Sequence, residues 1–239
     1  MWRKPVQIIY NICMATRLVF MSDTHNFNHR VKVPEGDIII HSGDATFAGS
    51  IEEISDFAVW YRSLPHKHKI FVAGNHDWLF ERNRTLAESL IGGIIYLQDS
   101  EVTLHGLRIY GSPFQPSFGH WAFNLDTNAE LADKWSDIPE GIDILVTHGP
   151  PYGYGDHITR QKWIYEPGVQ NQEVREWVER VGCTELRKRV DVIKPKIHSF
   201  GHIHPGHGVY HGLEGTRFIN ASICDDGYAC SNEPVVIDL

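Results

Sequence analysis

Carboxylates, imidazoles and an amide recur along this chain directly after short apolar runs, a placement suited to metal or acid–base chemistry. The run Val72-Ala73-Gly74 is followed by Asn75-His76-Asp77. Related arrangements occur at Asp23-Thr24-His25, Gly43-Asp44, Thr147-His148-Gly149 and Gly201-His202-Ile203-His204. An apolar strand that ends in polar residues delivers them to the crevice at the carboxyl edge of a sheet, where α/β proteins bind ligands. The pattern therefore predicts one pocket furnished with oxygen and nitrogen ligands.

Each of these motifs alone is weak evidence, because a histidine after a strand is more often buried and hydrogen-bonded than a ligand. Their recurrence at successive strand ends favours a site. Neighbouring carboxylates and imidazoles would carry a large desolvation and repulsion cost, which bound cations remove. Oxygen and imidazole ligands without a thiolate suit Mn, Fe, Zn or Co, and the sequence does not choose among them.

Alternating strands and helices are expected to position these side chains. Ser50 and Glu53 form a capping-box pattern, and apolar residues then recur at helical spacing until Pro65. This helix would connect two strands as a βαβ unit. Further helices are predicted at 85–91, 128–135, 173–181 and 184–193. Strands are predicted at 18–21, 37–41, 70–73, 94–97, 101–104, 107–111, 142–147, 197–200, 217–219 and 235–237.

The middle of the chain indicates more than one sheet. The dipeptide His105-Gly106 lies between two predicted strands as a hairpin turn, which marks a change from crossover units to antiparallel pairing. Residues 112–126 form a loop rich in aromatic residues that could line a base-binding wall or simply pack the loop down. Residues 150–172 are irregular in pattern and could fold over the site.

Length and composition limit the function classes. A chain of 239 residues with 42% apolar residues suits a single α/β domain, which we place at 16–239 after a loosely ordered extension at 1–15. The net charge of −8 and the pI of about 6.0 argue against nucleic-acid or membrane partners and favour a small substrate. The patch at 6–13 is too short for a membrane span.

Cysteine usage favours a reducing compartment, and we expect a cytoplasmic protein. The four cysteines form no CxxC pair. Cys224 and Cys230 could meet across a turn at Gly227, although free thiols are the simpler interpretation. The oligomeric state is not indicated by the sequence.

Taken together, the strand-end motifs resemble the sequence blocks of the calcineurin-like metallophosphoesterase superfamily, over residues 18–208. Within it the chain is most similar to the MPPED (metallophosphoesterase-domain-containing) subfamily. That similarity rests on Ser22-Asp23-Thr24-His25, His148-Gly149-Pro150-Pro151, Gly201-His202-Ile203-His204 and Asn220-Ala221-Ser222. The resemblance implies an α/β four-layer αββα sandwich of two mixed sheets with helices outside.

The resemblance also implies two divalent metal ions, with Mn the expected metal in vitro. One metal would take Asp23, His25, Asp44 and His204, and the other Asp44, Asn75, His148 and His202, so that Asp44 bridges. Asn75, His76 and His204 would also contact substrate. His76 would stabilise the transition state or protonate the leaving oxygen. Asp77 would either orient His76 through a hydrogen bond or cap a helix.

The function implied is a phosphodiesterase for small phosphodiesters such as cyclic nucleotides, acting through a hydroxide that bridges the two metals. Two ions about 3.5–4 Å apart clamp the attacking and leaving oxygens of an in-line displacement. The alternatives are a phosphomonoesterase or protein phosphatase, and a nucleotide-binding protein with little turnover. The block Gly43-Asp44-Ala45-Thr46-Phe47 lacks the Asp-Arg pair common in protein phosphatases. Some subfamily members lack the histidine that corresponds to His202, and its presence here favours an active enzyme.

The remaining histidines are expected to play supporting or surface roles. His41 is close enough in sequence to Asp44 to lie behind the ligands. His207 and His211 follow the last motif and are expected at the surface. No catalytic role is expected for His29, His66, His68, His105, His120, His157 and His198.

Overall fold

Two mixed β-sheets packed face to face, with helices on both outer surfaces, make up the body of the protein. The computed structural model describes residues 15–164 and 173–239. Most of the expected extension at 1–15 and the last part of the irregular segment at 150–172 lie outside the described residues. None of the described helices is long and apolar enough to cross a membrane.

The bounds of the elements agree closely with the pattern of apolar residues. The strands are Arg17–Met21 (β1), Ile38–His41 (β2), His68–Phe71 (β3), Ile95–Tyr96 (β4), Ser100–Leu104 (β5), Leu107–Ser112 (β6), Gln115–Pro116 (β7), Asn124–Leu125 (β8), Ile144–Thr147 (β9), His157–Ile164 (β10), Glu173–Arg180 (β11), Ile197–Phe200 (β12), Gly208–His211 (β13), Arg217–Asn220 (β14) and Val235–Asp238 (β15). The helices are Ile51–Ser63 (α1), Trp78–Arg82 (α2), Arg84–Leu90 (α3), Asn128–Ser136 (α4) and Thr184–Ile193 (α5). Short 3₁₀ turns lie at Asn28–Arg30 and His204–Gly206.

The first sheet has the strand order β15-β1-β2-β3-β4, and the second has β13-β14-β12-β9-β6-β5. In the first sheet β1 to β4 are parallel, and β15 pairs antiparallel with β1. In the second sheet β6, β9, β12 and β14 are parallel, and antiparallel β5 and β13 flank them. The parallel strands give each sheet one carboxyl edge, which is where the polar motifs occur.

Strand β1 shows that the first sheet is buried on both of its faces. Leu18 and Phe20 pack into the apolar cluster between the sheets, together with Ile144 and Ile197 of the second sheet. Val19 and Met21 point the other way and pack against the helical side of the first sheet. Successive side chains of a strand point to opposite faces, so a strand that is buried on both faces needs an apolar residue at every position. The four-layer α/β sandwich expected from the resemblance is confirmed.

Local signals account for the outer helices. In α1 both hydrogen bonds of the capping box form, since Ser50 accepts from the Glu53 backbone and Glu53 accepts from the Ser50 backbone. Helices α4 and α5 cover the second sheet through a cluster that includes Trp135 and Leu186.

The helix predicted at 173–181 is wrong, because this segment forms strand β11. It pairs antiparallel with β10 over the whole register from His157 opposite Arg180 to Ile164 opposite Glu173. Spacing alone was misleading: Val174 and Val178 have helical spacing, but β-branched residues also favour strands. Its partner, strand β10, lies in the segment that was expected to be irregular, so no partner strand was expected for residues 173–181. Pairing with β10 makes this segment a strand rather than a helix. Strands β7, β8 and β13 were likewise not predicted, and helix α2 was expected only under the alternative in which Asp77 caps a helix.

The described cysteines are free thiols. Cys224 and Cys230 face each other across an isolated antiparallel bridge, so they meet across the turn that contains Gly227.

Candidate metal centre

The polar side chains at the strand ends converge where the carboxyl edges of the two sheets meet. The first sheet supplies them after β1, β2 and β3, and the second after β9 and β12. The residues concerned are Asp23, His25, Asp44, Asn75, His148, His202 and His204. Each of the first five is at most 2% exposed, so their polar atoms turn inward toward one another.

One group of donors combines Asp23, His25 and His204, whose ligand atoms all lie within 4.8 Å of one another. His204 Nε2 lies 3.4 Å from Asp23 Oδ1 and 3.3 Å from His25 Nε2. Two imidazole nitrogens and a carboxylate oxygen at these separations can share one cation.

A second group combines Asp44, His148 and His202 within the same limit of 4.8 Å. His148 Nε2 lies 3.3 Å from Asp44 Oδ2 and 2.9 Å from Asn75 Oδ1, so the Asn75 amide oxygen joins this group. Asp44 Oδ2 is also 3.9 Å from His25 Nε2 in the first group. The geometry therefore places Asp44 between the two groups, as a bridging ligand would be.

The orientation of the imidazoles fits metal binding. His148 Nδ1 lies 2.9 Å from the Ser42 carbonyl, and His204 Nδ1 lies 2.9 Å from the Asp225 carbonyl. A carbonyl can only accept, so each Nδ1 carries the proton and each Nε2 presents its lone pair to the pocket when the ring is neutral. Metal-ligating histidines are commonly held in this way. The donor set and its tautomers therefore suit divalent cations.

Opposite charges at short range stabilise the ionised carboxylates. Burial alone would raise the pKa of Asp23, but the hydrogen bond and charge of His204 hold that pKa well below its usual range. Burial would likewise raise the pKa of Asp44, and His148 lowers it below its usual range instead. Burial alone would lower the pKa of His148 and of His204. The neighbouring carboxylates of Asp44 and Asp23 raise both pKa values to about 9 instead.

Burial favours the neutral form of two other imidazoles. Burial lowers the pKa of His202 to about 3 and also lowers the pKa of His25. The centre thus combines ionised carboxylate oxygens with imidazole nitrogens in its interior. A cation that displaces the proton of His148 or His204 keeps the attraction to the carboxylates, which is how metal affinity becomes linked to pH.

Backbone geometry at the centre is specialised. Asp23, His25, Asp44 and His202 all have positive φ, at 52°, 40°, 55° and 67°, a conformation that costs energy for residues other than glycine. Such strain is concentrated at functional sites. Position 74 requires glycine because its backbone lies against Asp44, and a Cβ there would collide with Asp44 Oδ1.

His76 forms a third group of possible ligands with His25 and Asp44, and its Nε2 lies 4.0 Å from Asp44 Oδ2. The expected hydrogen bond from His76 to Asp77 is not formed. His76 Nδ1 lies 2.6 Å from the Phe47 carbonyl instead, and its ring lies against Trp121 with centroids 4.1 Å apart. A backbone carbonyl and an aromatic ring therefore orient this imidazole.

Asp77 acts on the loops rather than on His76. It occupies the position before α2, but its side chain makes no capping hydrogen bond there. The carboxylate accepts from Gly74 N at 2.8 Å and from Thr46 N and Oγ1 at 3.1 and 2.7 Å. Burial, followed by the charge of Asp44, raises the pKa of Asp77 to about 6. Asp77 thus ties the loop after β2 to the loop after β3.

Several supporting residues were not assigned a role by sequence. Ser222 Oγ donates to Asp23 Oδ2 at 2.9 Å, and its motif Asn220-Ala221-Ser222 was the available signal. The Asp225 carbonyl that orients His204 has no sequence signal, because every residue carries a carbonyl. His41 is buried and hydrogen-bonds Thr24 Oγ1 at 3.0 Å, consistent with its expected place behind the ligands. His211 is exposed and His207 partly buried.

The aromatic residues of the loop at 112–126 fall into two groups, one packed into the core and one lining a cavity. Phe123 is buried in the core of the first sheet and contacts Phe114 edge-on, so these two pack the loop down. Phe118 and Trp121 line a cavity of about 230 Å³ over the donor groups. Tyr228, from the loop after β14, lines the opposite side.

Comparison with known proteins agrees with this geometry. A profile of the calcineurin-like phosphoesterase family matches residues 16–206. Metallophosphoesterase domain-containing protein 1 of Homo sapiens is 41% identical over 249 residues, covering 94% of this chain and 71% of that protein. UPF0046 protein C25E10.12 of Caenorhabditis elegans is 37% identical over 241 residues, covering 93% of this chain and 80% of that protein.

Among solved structures, a 5'-nucleotidase precursor from Thermus thermophilus is similar with a TM-score of 0.45 and 11% identity, covering 94% of this chain and 54% of that one. The family profile spans the strand ends that carry the donor groups, and it implies phosphoester hydrolysis with divalent metal ions. The resemblance drawn from the strand-end motifs is confirmed: the chain belongs to the calcineurin-like phosphoesterase family.

Proposed function

We propose that the protein is a metal-dependent phosphodiesterase that hydrolyses small phosphodiesters, cyclic nucleotides among them. The observation that carries the proposal is that the donor group Asp23, His25 and His204 lies beside the donor group Asp44, His148 and His202, with Asp44 Oδ2 only 3.9 Å from His25 Nε2. The first ion would be held by Asp23, His25, Asp44 and His204, and the second by Asp44, Asn75, His148 and His202. When bound, two such ions orient both oxygens of the displacement and lower the pKa of water to roughly 7.

His76 is the candidate for proton transfer to the leaving oxygen. Its Nδ1 is held by the Phe47 carbonyl, so Nε2 faces the cavity and is free to carry a proton. Asn75 and His204 line the same cavity and are placed to contact the phosphoryl oxygens. Asp77 holds the loops and is a positioning residue in this proposal.

The lining of the cavity favours a diester over a monoester. Within the described part of the chain, the lining residues of this cavity include Asp226 but no lysine or arginine. A phosphomonoester is a dianion and commonly requires additional cationic donors, such as a bidentate arginine. A diester carries a single negative charge, which two divalent ions can neutralise without help.

Free thiols at Cys183, Cys224 and Cys230 support the cytoplasm as the compartment. Mn²⁺ is the metal we propose for activity in vitro, because oxygen and imidazole donors accept it. We propose a small phosphoester or nucleotide as the partner.

The test is to remove metal with EDTA, reload the protein with Mn²⁺, Co²⁺, Zn²⁺ or Fe²⁺, and compare kcat/KM for bis(p-nitrophenyl) phosphate, a cyclic nucleotide and p-nitrophenyl phosphate. We expect metal-dependent turnover with the diesters preferred. Preference for the monoester would support a phosphomonoesterase instead. Tight nucleotide binding without product would support a binding protein.

A further inference from the structure

A second and larger cavity, of about 610 Å³, adjoins the cavity over the donor groups. Phe118, Ile158, His202 and Ile203 line both cavities, so the two adjoin at these side chains. The Phe118 ring contacts the His202 ring edge-on, with centroids 4.9 Å apart. A group attached to a phosphoryl centre at the metals can therefore extend into this second cavity. Its volume is in the range that small-molecule sites occupy.

The charged side chains at the second cavity are already paired. Arg160 Nε lies 2.8 Å from Glu179 Oε2, and Arg180 Nη1 lies 2.6 Å from Asp156 Oδ1. The remaining wall includes Phe118, Ile158 and Pro150. A second phosphate would find its cationic partners neutralised, whereas a flat neutral ring would bury apolar area against these side chains.

One polar atom of Gln115, a residue that lines the second cavity, lacks a partner. Gln115 is 1% exposed, and its Oε1 makes no hydrogen bond with any described residue, while its Nε2 lies 3.4 Å from Asn124 Oδ1. Gly149 leaves space beside Oε1, since a Cβ at that residue would be 3.8 Å away. A buried acceptor without a hydrogen-bond partner raises the free energy of the folded protein. A ligand group that donates a hydrogen bond to Oε1 would remove this penalty.

We propose that the second cavity binds one ester substituent of the substrate, a neutral aromatic or heteroaromatic ring with an N–H or O–H group that donates to Gln115 Oε1. Phe118 forms the passage between the phosphoryl site and this ring site. The proposal rests on the proposed function for the identity of the phosphoryl site. It adds the class of organic group that the enzyme selects.

Binding of phosphonates to the Mn²⁺-loaded protein, measured by calorimetry, tests the ring site without requiring turnover. The probes are methylphosphonate, (benzothiophen-3-yl)methylphosphonate and (indol-3-yl)methylphosphonate, of which only the last carries an N–H donor. We expect the benzothiophene to bind about tenfold or more tighter than the methyl compound, because the ring is buried. The indole should bind about fivefold tighter again, through one hydrogen bond.

Substitutions separate the two contacts. Phe118→Ala is expected to lower the advantage of both ring compounds over methylphosphonate about tenfold. Gln115→Met should abolish the advantage of indole over benzothiophene, while Gln115→Glu, which keeps an acceptor, should retain it. Trp177→Ala is the matched control, because Trp177 is an exposed aromatic residue that lines neither cavity; it should give wild-type ratios.

Equal affinities across the three probes would overturn the ring site. An indole advantage that survives Gln115→Met would overturn the role of Gln115. Failure of the proposed function would give a different result. No diester would be hydrolysed with any of the metals, while the probe affinities would still follow the predicted order. Near-UV circular dichroism of each variant confirms that its fold is intact.

Discussion

Asp44 Oδ2 lies 3.3 Å from His148 Nε2, although Asp44 follows a strand of the first sheet and His148 a strand of the second. The other carboxylate oxygen, Asp44 Oδ1, accepts from His76 N at 2.8 Å. One carboxylate therefore links the two sheets, the two donor groups and the loop that carries His76.

Asp44→Asn is expected to weaken metal binding and stability together, because ligands are also folding contacts. In the wild-type protein, a metal at 100 times its Kd adds about 2.7 kcal/mol to the free energy of unfolding. The variant should lose most of that gain. Metal content after dialysis and Tm with and without EDTA measure both effects. Asp133→Asn, on an exposed face of α4, is the control and should behave as wild type.

His76→Ala is expected to keep the metals and to lower kcat by about 10²–10⁴-fold, the range for losing a proton-transfer group. His76 is held by Phe47 and Trp121, and its removal leaves intact the groups Asp23, His25, His204 and Asp44, His148, His202. Steady-state kinetics at full metal loading measure the effect, with exposed His211→Ala as control. Metal loss equal to that of Asp44→Asn would show that His76 is a ligand.

Asp77→Asn should reduce stability and metal affinity more than the turnover of the metal-loaded protein. An amide presents N–H groups to the donors of Gly74 and Thr46, so one of these buried hydrogen bonds to a charged group is lost, at a cost of about 1.5–3 kcal/mol. Denaturant unfolding and metal titration measure this cost. A drop in kcat with unchanged stability and metal affinity would instead make Asp77 a catalytic residue.

Gly74→Ala and Gly92→Ala form a matched pair. A Cβ at Gly74 would meet Asp44 and His148, whereas a Cβ at Gly92 has nothing within 4 Å. We expect Gly74→Ala to destabilise the protein by about 1–3 kcal/mol through overpacking and to weaken metal binding. Gly92→Ala should stay within about 0.5 kcal/mol of wild type. Chemical denaturation of both variants, with metal and with EDTA, measures their free energies of unfolding. Similar values for the two variants would contradict the close approach of Gly74 to Asp44 and His148.

The donor residues could be predicted from sequence because each follows a strand that is apolar on both faces, and such strands are visible in the pattern of Leu18 to Met21 or Ile144 to Val146. The groups that orient these donor residues could not be predicted from the sequence. The carbonyls of Ser42, Phe47 and Asp225 orient imidazoles, and a backbone carbonyl has no signature in the sequence. Which acceptor faces His76 is decided by how the loops after β2 and β3 approach each other.

Strand β11 shows a second limit of the sequence. Its residues Glu173 to Arg180 have charged and apolar positions that suit a helix and a strand almost equally, and long-range pairing with β10 decides between them. Local propensity is a weak guide wherever a partner strand is available.

His198 should make the metal-free protein less stable in acid. Burial lowers the pKa of His198 to about 3, against about 6.5 in an unfolded chain. Between these values the unfolded chain binds a proton that the folded protein does not, so the contribution of His198 to stability is full above pH 6.5 and is lost as pH falls toward 3. The slope approaches about 1.4 kcal/mol per pH unit.

His198→Phe removes the titrating group while keeping a flat ring beside Phe200 and Phe218. Thr147 Oγ1 retains the Gly149 carbonyl as acceptor at 2.8 Å, so no hydroxyl is left unpaired. Urea unfolding in EDTA from pH 7.5 to 4.5 should show a shallower loss of stability for the variant, by up to about 1.4 kcal/mol per pH unit. Parallel curves for the two proteins would mean that His198 takes up its proton without unfolding, and that the buried strand β12 admits water.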